Sequence, residues 1–403
     1  MRILNVTQSY APFFEFGGPP VKVKALAEGM ARRGHDVTVL TADWGLEERL
    51  RNSPNEPRAE PSPFGQRRKV NEVTAIYLAN WWRYRALSWT PALGRYLRAR
   101  LGEFDVVHIF GLYDFLGPRV AKECQKRKLP YVVEPIGMFV PIVRNLLLKR
   151  VYHAFWGREM LNGAAAIIVT AEQEREEVLT GGFTKEKIIL RRNGVEVPAG
   201  LPERGKFRER LRIRPEDKLI LFLGRLSEKK SPELLLRAFA GFEKARGGGV
   251  GTVHLAYVGP DESGMKERLR QMANGMGLSG AVHIFEPLEG QAKWAAYRDA
   301  DIFVLPSQNE NFGNTAAEAV AASTPVIVTE NCGIAPLLKD TAGLVVRHDE
   351  VELRTALTRL INDEGLYRKL KNGCAEATVN LGWDKPVEQM EYSFSALARV
   401  GVS

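Results

Sequence analysis

The chain has 403 residues, of which 45% are hydrophobic and 26% are charged, and its formal net charge is +9. This length and balance predict a globular, soluble protein of two α/β domains. The longest apolar runs are strand-sized, well short of the ~20 residues that a spanning helix needs, and three distant cysteines, Cys124, Cys332 and Cys374, exclude a disulfide framework or a cysteine metal cluster.

Short runs rich in Val, Ile, Leu, Phe and Tyr alternate with helical patterns. In the first half the predicted strands are Arg2–Val6, Asp36–Thr41, Thr74–Leu78, Val106–Phe110, Tyr131–Glu134, Ala166–Val169 and Ile188–Arg191. In the second half they are Leu219–Leu223, Val253–Val258, Val282–Phe285, Ile302–Leu305, Val326–Thr329 and Gly343–Val346. This pattern is typical of parallel strands covered on both faces, so the fold class is α/β and doubly wound. Because the first strand begins without a signal-peptide pattern, we expect a cytoplasmic protein.

Two stretches interrupt the alternation. Residues 197–205 are rich in Pro and Gly and predict a linker between the two series of strands. Residues 44–70 are polar and rich in proline, so we expect a surface loop there.

The excess of positive over negative residues lies entirely in the first half. There Lys and Arg outnumber Asp and Glu by 30 to 21, whereas the numbers are 27 and 27 in residues 201–403. Residues 73–102 and 135–158 contain no acid and mix arginines with aromatic residues. Two amphipathic helices packed on the core with solvated arginines would explain this pattern. So would peripheral contact with an anionic membrane through residues 81–100 and 139–158. We do not expect nucleic-acid binding.

Three features of the first half are candidate site residues. Gly17 and Gly18 follow the first strand and precede two prolines and a helix, which allows a close approach of the backbone to an anion. His108 and Glu134 lie at the carboxyl ends of predicted strands, the edge where open α/β sheets bind ligands. We consider His108 as a catalytic residue and Glu134 as a residue on the acceptor side. A structural turn and packed side chains are the alternatives.

In the second half, a predicted strand runs into the turn that carries Arg225 and Lys230, and a helix follows. A guanidinium and an ammonium at such a turn can neutralise a diphosphate. A solvated basic loop is the alternative.

A second motif contains Glu310 and Glu318, eight residues apart, across a loop and the first turns of a helix. A carboxylate at Glu318 can accept hydrogen bonds from the vicinal diol of a ribose, and Glu310 can bind sugar hydroxyls. Gly313 permits close approach, and the segment Asn311, Phe312, Gly313, Asn314 and Thr315 directs backbone amides at a phosphate. Ordinary acidic residues near a helix start are the alternative.

Asp299 and Asp301 match the short DxD pattern that binds a metal diphosphate in some enzymes. They precede a strand, at the end opposite to the ligand edge, so we interpret them as structural and expect no metal site.

Together these motifs resemble the GT-B glycosyltransferases, specifically the retaining family GT4, over nearly the whole chain. The matching segments are Gly17–Gly18, residues 33–41, Asp105–His108, Asn193–Glu196, Gly224–Leu226 with Lys230, Gly259–Pro260, and the pair Glu310 and Glu318.

The resemblance implies two Rossmann-like domains that face each other across a cleft. Residues 1–197 would form an acceptor-binding domain, 198–217 a linker, 218–383 the nucleotide-sugar domain, and 384–403 a helix that crosses back to the first domain. It also implies that Arg225 and Lys230 hold the donor diphosphate and that Glu310, with the backbone of 311–314, holds the donor sugar. Glu318 would hold the ribose, and Gly18 would approach the phosphate.

Two residues depart from the family pattern. Ile136 stands where many members have His, which puts a His-based positioning of the donor in doubt. Ser231 replaces a usual Gly after Lys230.

The activity expected from this resemblance is hexosyl transfer from a UDP or GDP sugar, with retention and without metal or cofactor. The acceptor would be a glycan or lipid-linked molecule in surface polysaccharide or glycolipid synthesis at the inner membrane face. The alternatives are a small soluble acceptor, a sugar-nucleotide epimerase that uses His108 and Glu134, and a non-catalytic binding scaffold.

Overall fold

A computed structural model describes residues 1–52, 56–84, 87–140, 152–247 and 251–400. The chain divides into two compact units. The first unit contains Met1–Gly194 and the segment from Trp383 onward, and the second contains Val195–Gly382.

The first unit is built on a nine-stranded sheet of order β11-β10-β9-β8-β1-β2-β5-β4-β3, with a separate hairpin of β6 and β7. Its strands are β1 Arg2–Val6, β2 Asp36–Ala42, β3 Glu60–Ser62, β4 Gly65–Val70, β5 Val73–Leu78, β6 Trp82–Tyr84, β7 Leu87–Trp89, β8 Val106–Phe110, β9 Tyr131–Glu134, β10 Ala166–Val169 and β11 Ile188–Leu190. Pairing within the large sheet is parallel except at β3 and β4. The central strands β8, β9 and β10 are buried along their whole length, which explains their continuous apolar sequences.

Helices cover this sheet. They are α1 Gly18–Arg32, α2 Leu46–Arg51, α3 Ala92–Arg100, α4 Leu116–Arg127, α5 Arg158–Gly163 and α6 Glu172–Thr180, and a π-helical turn, His153–Gly157, precedes α5. Prolines in the first turn of α1 suit a position where a backbone N–H has no partner within the helix.

The prediction of a surface loop over residues 44–70 is wrong for most of that stretch, which contains α2 and the antiparallel pair β3–β4. The pair extends the edge of the sheet at β5. The edge strand is β3, which tolerates Pro61 because one side of its backbone is unpaired. Its neighbour β4 is paired on both sides and exposes Arg67 and Lys69. Such a strand lacks the apolar run that made the central strands recognisable.

The two amphipathic helices considered for the acid-free stretches are also incorrect in part. In the described part of the first stretch, Trp82–Tyr84 and Leu87–Trp89 form the hairpin of β6 and β7, and α3 is the α-helix. In the second stretch, Arg144, Lys149 and Arg150 lie outside the described residues, as does Arg85 in the first.

The second unit has a six-stranded, all-parallel sheet of order β14-β13-β12-β15-β16-β17. Its strands are β12 Lys218–Leu223, β13 Val253–Val258, β14 Val282–Phe285, β15 Ile302–Leu305, β16 Val326–Thr329 and β17 Gly343–Val346. Its helices are α7 Lys206–Leu211, α8 Pro232–Arg246, α9 Met265–Gly275, α10 Gly290–Asp299, α11 Asn314–Ala321, α12 Ala335–Leu338, α13 Glu350–Asn362 and α14 Glu364–Val379. All six of these strands were predicted to within one residue at each end.

The last helix, α15 Asp384–Val400, belongs to the first unit and packs on α1. Val387 lies so close to Gly29 that a Cβ atom built there would be 2.5 Å from Val387 Cγ2, so a side chain at position 29 would force Val387 or the helix to shift. On the surface, Glu391 accepts hydrogen bonds from Arg33 Nε at 2.6 Å and pairs with His35 Nε2 at 2.8 Å.

Within the described part of the chain, no helix is both long and apolar enough to cross a membrane.

Candidate active site

The strand order of the second unit reverses between β12 and β15. From β12 the chain proceeds to β13 and β14 on one side, and from β15 to β16 and β17 on the other. The carboxyl ends of two such neighbouring strands diverge into separate loops and leave a crevice, the usual ligand site of an open α/β sheet. Arg225 and Lys230 follow β12, whereas Glu310 and Gly313 follow β15, so the predicted residues border this crevice.

The loop after β12 is held by direct backbone contact with the loop after β13. A Cβ atom built on Gly259 would be 1.9 Å from the carbonyl oxygen of Gly224, and Gly259 has φ +153°, so a side chain is excluded there. Leu226 N donates to Pro260 O at 2.9 Å. These contacts fix the backbone on either side of Arg225, whose side chain is half exposed, with Nη1 3.8 Å from Glu262 Oε2.

Lys230 forms an ion pair with Glu310, and both side chains are about one-fifth exposed. Their loops are also joined through the backbone, since Gln308 N donates to Lys229 O at 2.9 Å. The cation predicted for a phosphate and the carboxylate predicted for a sugar are therefore direct neighbours across the switch point.

The start of α11 is set by Gly313, which has φ +104°. A Cβ atom there would lie 3.0 Å from Ile334 Cγ2, so both the conformation and the space favour glycine. Ile334 N donates to Phe312 O at 2.7 Å, which ties this loop to the one after β16. The first-turn amides of α11, at Asn314 and Thr315, point out of the helix end at the carboxyl edge of β15.

Glu318 lies in the second turn of α11, with its side chain 17% exposed. Its Oε2 accepts a hydrogen bond from the Tyr297 hydroxyl at 2.8 Å, and its Oε1 accepts one from Lys293 Nζ at 2.9 Å. The two donors lie on α10.

In the first unit the strand order reverses between β1 and β8. Gly17 and Gly18 end the loop that follows β1, and Gly17 has φ +95°, a conformation that disfavours any side chain. The loop with the paired glycines therefore borders the crevice of this unit.

His108 and Glu134 lie inside the first unit, where they are 2% and 0% exposed. Glu134 accepts from Lys22 Nζ at 2.7 Å and from Arg191 at 2.6 Å, and His108 Nε2 is 3.4 Å from Glu134 Oε2. We call these four residues the Glu134 cluster. It joins α1, β8, β9 and the end of β11.

Burial and charge act in opposite directions in the Glu134 cluster. Burial alone would raise the pKa of Glu134, but the cations Arg191 and Lys22 outweigh it and hold that pKa well below its usual range. Burial lowers the pKa of His108, against the pull of Glu134, so the imidazole is neutral near pH 7. The partners of Glu134 among the described residues are internal, so this geometry gives no support to a catalytic role for His108 or an acceptor contact for Glu134.

Two family models match the chain. The glycosyl transferase 4-like domain matches residues 17–194, and glycosyl transferases group 1 matches residues 203–376. The chain belongs to the GT-B glycosyltransferases of family GT4.

Relatives from several bacteria are similar to this chain in sequence, and a solved structure is similar to it in fold. This GT4 chain is 34% identical over 240 residues to the D-inositol 3-phosphate glycosyltransferase of Streptomyces bingchenggensis, a match that spans 57% of the chain and only 52% of that relative's length. It is 28% identical over 396 residues to the D-inositol 3-phosphate glycosyltransferase of Actinosynnema mirum, spanning 93% of the chain and 91% of the relative. The structure of Anabaena HepE in complex with UDP and glucose matches with TM-score 0.75 at 17% identity, covering 98% of this chain and 100% of HepE.

The two departures from the GT4 pattern have distinct structural settings. Ile136 follows β9 and has φ +57°, a rare conformation for a β-branched residue, and the next amide, Gly137 N, donates to Glu174 Oε1 at 2.6 Å. Ser231 has φ +50°, the region where glycine is favoured, and its hydroxyl lies 2.9 Å from His348 Nε2. Both positions therefore have a left-handed backbone conformation that neither isoleucine nor serine favours.

The two aspartates of the DxD match have structural partners. Asp299 accepts from Gly205 N and Phe207 N, both at 2.6 Å, and so holds the start of α7. Asp301 accepts from Leu219 N at 2.8 Å and from Arg208 at 2.7 Å. Among the described residues, no group of three or more His, Cys, Asp or Glu side chains is placed to hold a metal ion.

Sequence reasoning missed Lys293, Tyr297, Lys22 and Arg191. The first two are four residues apart on α10, so they lie on one helix face, and that spacing was a usable signal. Lys22 and Arg191 gave no such signal, because they meet Glu134 across 112 and 57 residues of sequence.

Proposed function

We propose that this GT4 chain transfers a hexosyl group from a nucleotide-diphosphate sugar to a hydroxyl group of a glycan or lipid-linked acceptor, with retention and without metal. The observation that carries this proposal is the grouping of Arg225, Lys230, Glu310 and the start of α11 at the switch point between β12 and β15. Cations and helix amides fixed at one crevice match the charge of a diphosphate.

The leaving diphosphate gains negative charge as the glycosidic bond breaks. Arg225, Lys230 and the first-turn amides of α11 would stabilise that charge, which is the electrostatic role that most lowers such barriers. A diphosphate competes with Glu310 for Lys230, so donor binding would transfer Lys230 to phosphate and release the Glu310 carboxylate for sugar hydroxyls. The engagement of Asp299 and Asp301 in structural hydrogen bonds supports a mechanism without metal.

Proton transfer is the remaining chemical step. His108 and Glu134, the acid–base candidates in the first unit, are sealed in the Glu134 cluster. We infer that the acceptor hydroxyl gives its proton to a donor phosphate oxygen as it attacks the same face of the sugar. The same burial argues against an epimerase, which needs accessible acid–base groups.

The donor in this proposal is a UDP sugar, with a GDP sugar as the alternative. The structure of HepE, which shares the fold, contains UDP and glucose, and this favours a UDP sugar as the first donor to test.

A lipid-linked acceptor is supported by one surface of the first unit, formed by Trp81, Trp82, Trp89, Phe155 and Trp156, which we call the aromatic face. Trp81 is 81% and Phe155 is 68% exposed. Trp82 pairs with Trp89 across the β6–β7 hairpin, and Trp89 and Trp156 line one groove of about 440 Å³ with Arg119 and Lys122. Exposed aromatic rings beside cations suit the interface of an anionic membrane.

A second candidate function follows from the names of the relatives. Both relatives described above are D-inositol 3-phosphate glycosyltransferases, which favours a small phosphorylated polyol as the alternative acceptor.

Transfer assays with UDP and GDP sugars test the reaction. We expect one donor to yield product with a lipid-linked acceptor, and NMR of the new linkage to show the donor's anomeric configuration. Turnover with inositol phosphate alone would favour the second function, and an inverted product would refute retention. If the reaction needs no metal, the protein should keep full activity in excess chelator.

Vesicle sedimentation tests the aromatic face. We expect binding to phosphatidylglycerol vesicles that weakens with salt and is lost in the double variant Phe155→Ala and Trp156→Ala. Tyr392→Ala is the matched control, because Tyr392 is 79% exposed on α15. Equal binding to phosphatidylcholine vesicles, or equal loss in the control, would refute this part of the proposal.

A further inference from the structure

Two side chains of α10 hold the carboxylate of Glu318, one at each oxygen. The Tyr297 hydroxyl donates to Oε2 at 2.8 Å and Lys293 Nζ donates to Oε1 at 2.9 Å. Because Tyr297 and Lys293 are four residues apart, one face of α10 presents both donors to α11. The orientation of the carboxylate is thus set by a neighbouring helix and not by α11 alone.

The two donors differ in burial. Tyr297 is fully buried, and its ring packs edge-on against Trp294 and Phe303 with centroid distances of 5.9 and 5.6 Å. Burial, reinforced by the negative charge of Glu318, raises the pKa of the Tyr297 hydroxyl well above its ordinary value, so it keeps its proton. Lys293 is 27% exposed and supplies a positive charge from the solvent side. The carboxylate therefore has one fully buried, neutral donor at Oε2 and one partly exposed, charged donor at Oε1.

The number of acceptor positions on a carboxylate explains what this arrangement achieves. Two oxygens offer about four lone-pair positions. Tyr297 and Lys293 take one position on each oxygen, and a vicinal diol needs one further position on each. A carboxylate held this way matches the two hydroxyls of a ribose without rotation, which reduces the entropy lost on binding.

We propose that Tyr297 and Lys293 are positioning residues that orient Glu318 toward the ribose diol and make the site selective for ribonucleotides. This inference rests on the proposed function, in which Glu318 binds the ribose. It adds that the selectivity is built by α10. A purely structural role would predict something else, namely an equal loss of affinity for nucleotides with and without ribose hydroxyls.

Isothermal titration with two nucleotides separates these roles. The probes are UDP and 2′,3′-dideoxy-UDP, with the corresponding GDP pair in parallel, and the proteins are the wild type, Tyr297→Phe, Lys293→Met and Glu318→Gln. We expect the wild type to bind the ribonucleotide at least about tenfold more tightly than the dideoxynucleotide. Tyr297→Phe and Lys293→Met should each reduce that ratio by roughly three- to tenfold. Affinity for the dideoxynucleotide should stay within about twofold of wild type.

The controls make failure informative. Because the result is a ratio measured on one preparation, partial loss of folded protein cancels, and Lys293→Arg should restore the ratio by restoring a charged donor. Gln291→Ala, an exposed position on α10, should leave the ratio unchanged. A loss of equal size for both nucleotides in Tyr297→Phe and Lys293→Met, or no change for either, would overturn the inference.

Failure of the proposed function gives a different pattern. If neither UDP nor GDP binds the wild type, or if Glu318→Gln keeps the full ratio, the ribose role of Glu318 is wrong and the inference falls with it. If Glu318→Gln abolishes the ratio while both α10 variants keep it, only the positioning role is wrong.

Discussion

Each of the two units has a glutamate ion-paired with lysine or arginine at or after the end of a central strand, but the pairs differ in burial. In the first unit Glu134 is the last residue of a central strand, β9, and binds Lys22 and Arg191, and all three side chains are at most 3% exposed. In the second unit Glu310 follows a central strand and binds Lys230, but both are about 20% exposed. Both units have an ion pair at or after the end of a strand. The difference shows that solvent access decides whether the paired charges can exchange partners with a ligand.

The largest expected effect is the loss of stability when Glu134 is removed. Glu134→Ala would leave two cations buried without their anion, and breaking a buried pair in this way costs about 3–5 kcal/mol. Chemical denaturation followed by circular dichroism measures it. Glu310→Ala is the matched variant and should cost less than about 1 kcal/mol, because its pair is partly solvated. Equal costs would break the comparison.

The next effect is on activity and is expected only in the second unit. Lys230→Ala removes a cation from the leaving diphosphate and should lower the transfer rate by roughly a hundred- to a thousandfold. The fold should be unchanged by circular dichroism. Lys244→Ala, an exposed lysine of α8, is the control and should transfer at the wild-type rate. Wild-type turnover by Lys230→Ala would refute the role of Lys230 in stabilising the leaving diphosphate.

The sequence predicted features that depend on neighbouring residues, but not contacts between residues that are far apart in the chain. Central strands such as β8 and β13 were predicted at their observed bounds, because burial on both faces leaves a local apolar run. Arg225, Lys230, Glu310 and Glu318 also lie in short motifs next to such strands. The partners that decide their use do not, since Lys230 meets Glu310 across 80 residues and Lys22 meets Glu134 across 112. Sequence alone therefore made both Glu134 and Glu310 candidate site residues, but it could not show that one carboxylate is buried and the other accessible.

The pH dependence of stability separates the titrating members of the Glu134 cluster. The pKa of His108 in the folded protein lies below its unfolded value of about 6.5, so the unfolded chain binds a proton first as pH falls. The stability that depends on neutral His108 is present above pH ~6.5 and is lost below it, by up to about 1.4 kcal/mol per pH unit. Glu134, with its lowered pKa, stays ionised throughout this window.

The variant His108→Phe isolates that contribution. It keeps the stack on Phe110, whose ring centroid is 3.8 Å away, and removes the titrating group. We expect its unfolding free energy to fall less steeply than the wild type between pH 6.5 and 5, measured by denaturation at each pH. His254 and His283 also have lowered pKa values, but they are present in both proteins and cancel in the difference. Identical slopes would show that His108 does not titrate with folding.

The smallest expected effect on stability comes from an ion-paired glutamate, Glu391, at the surface of the first unit. Glu391 binds Arg33 and His35 at 2.6 and 2.8 Å, distances as short as those around Glu134, yet Arg33 is 42% and Glu391 is 25% exposed. Water and salt solvate these charges when the contacts break, so Glu391→Gln should lower the unfolding free energy by less than about 1 kcal/mol. The difference should shrink further in 0.5 M salt, because screening acts on exposed pairs. Denaturation at low and high salt tests both points. If Glu391→Gln cost as much as Glu134→Ala, short contacts alone would determine the strength of a pair, and burial would lose the role that the comparison gives it.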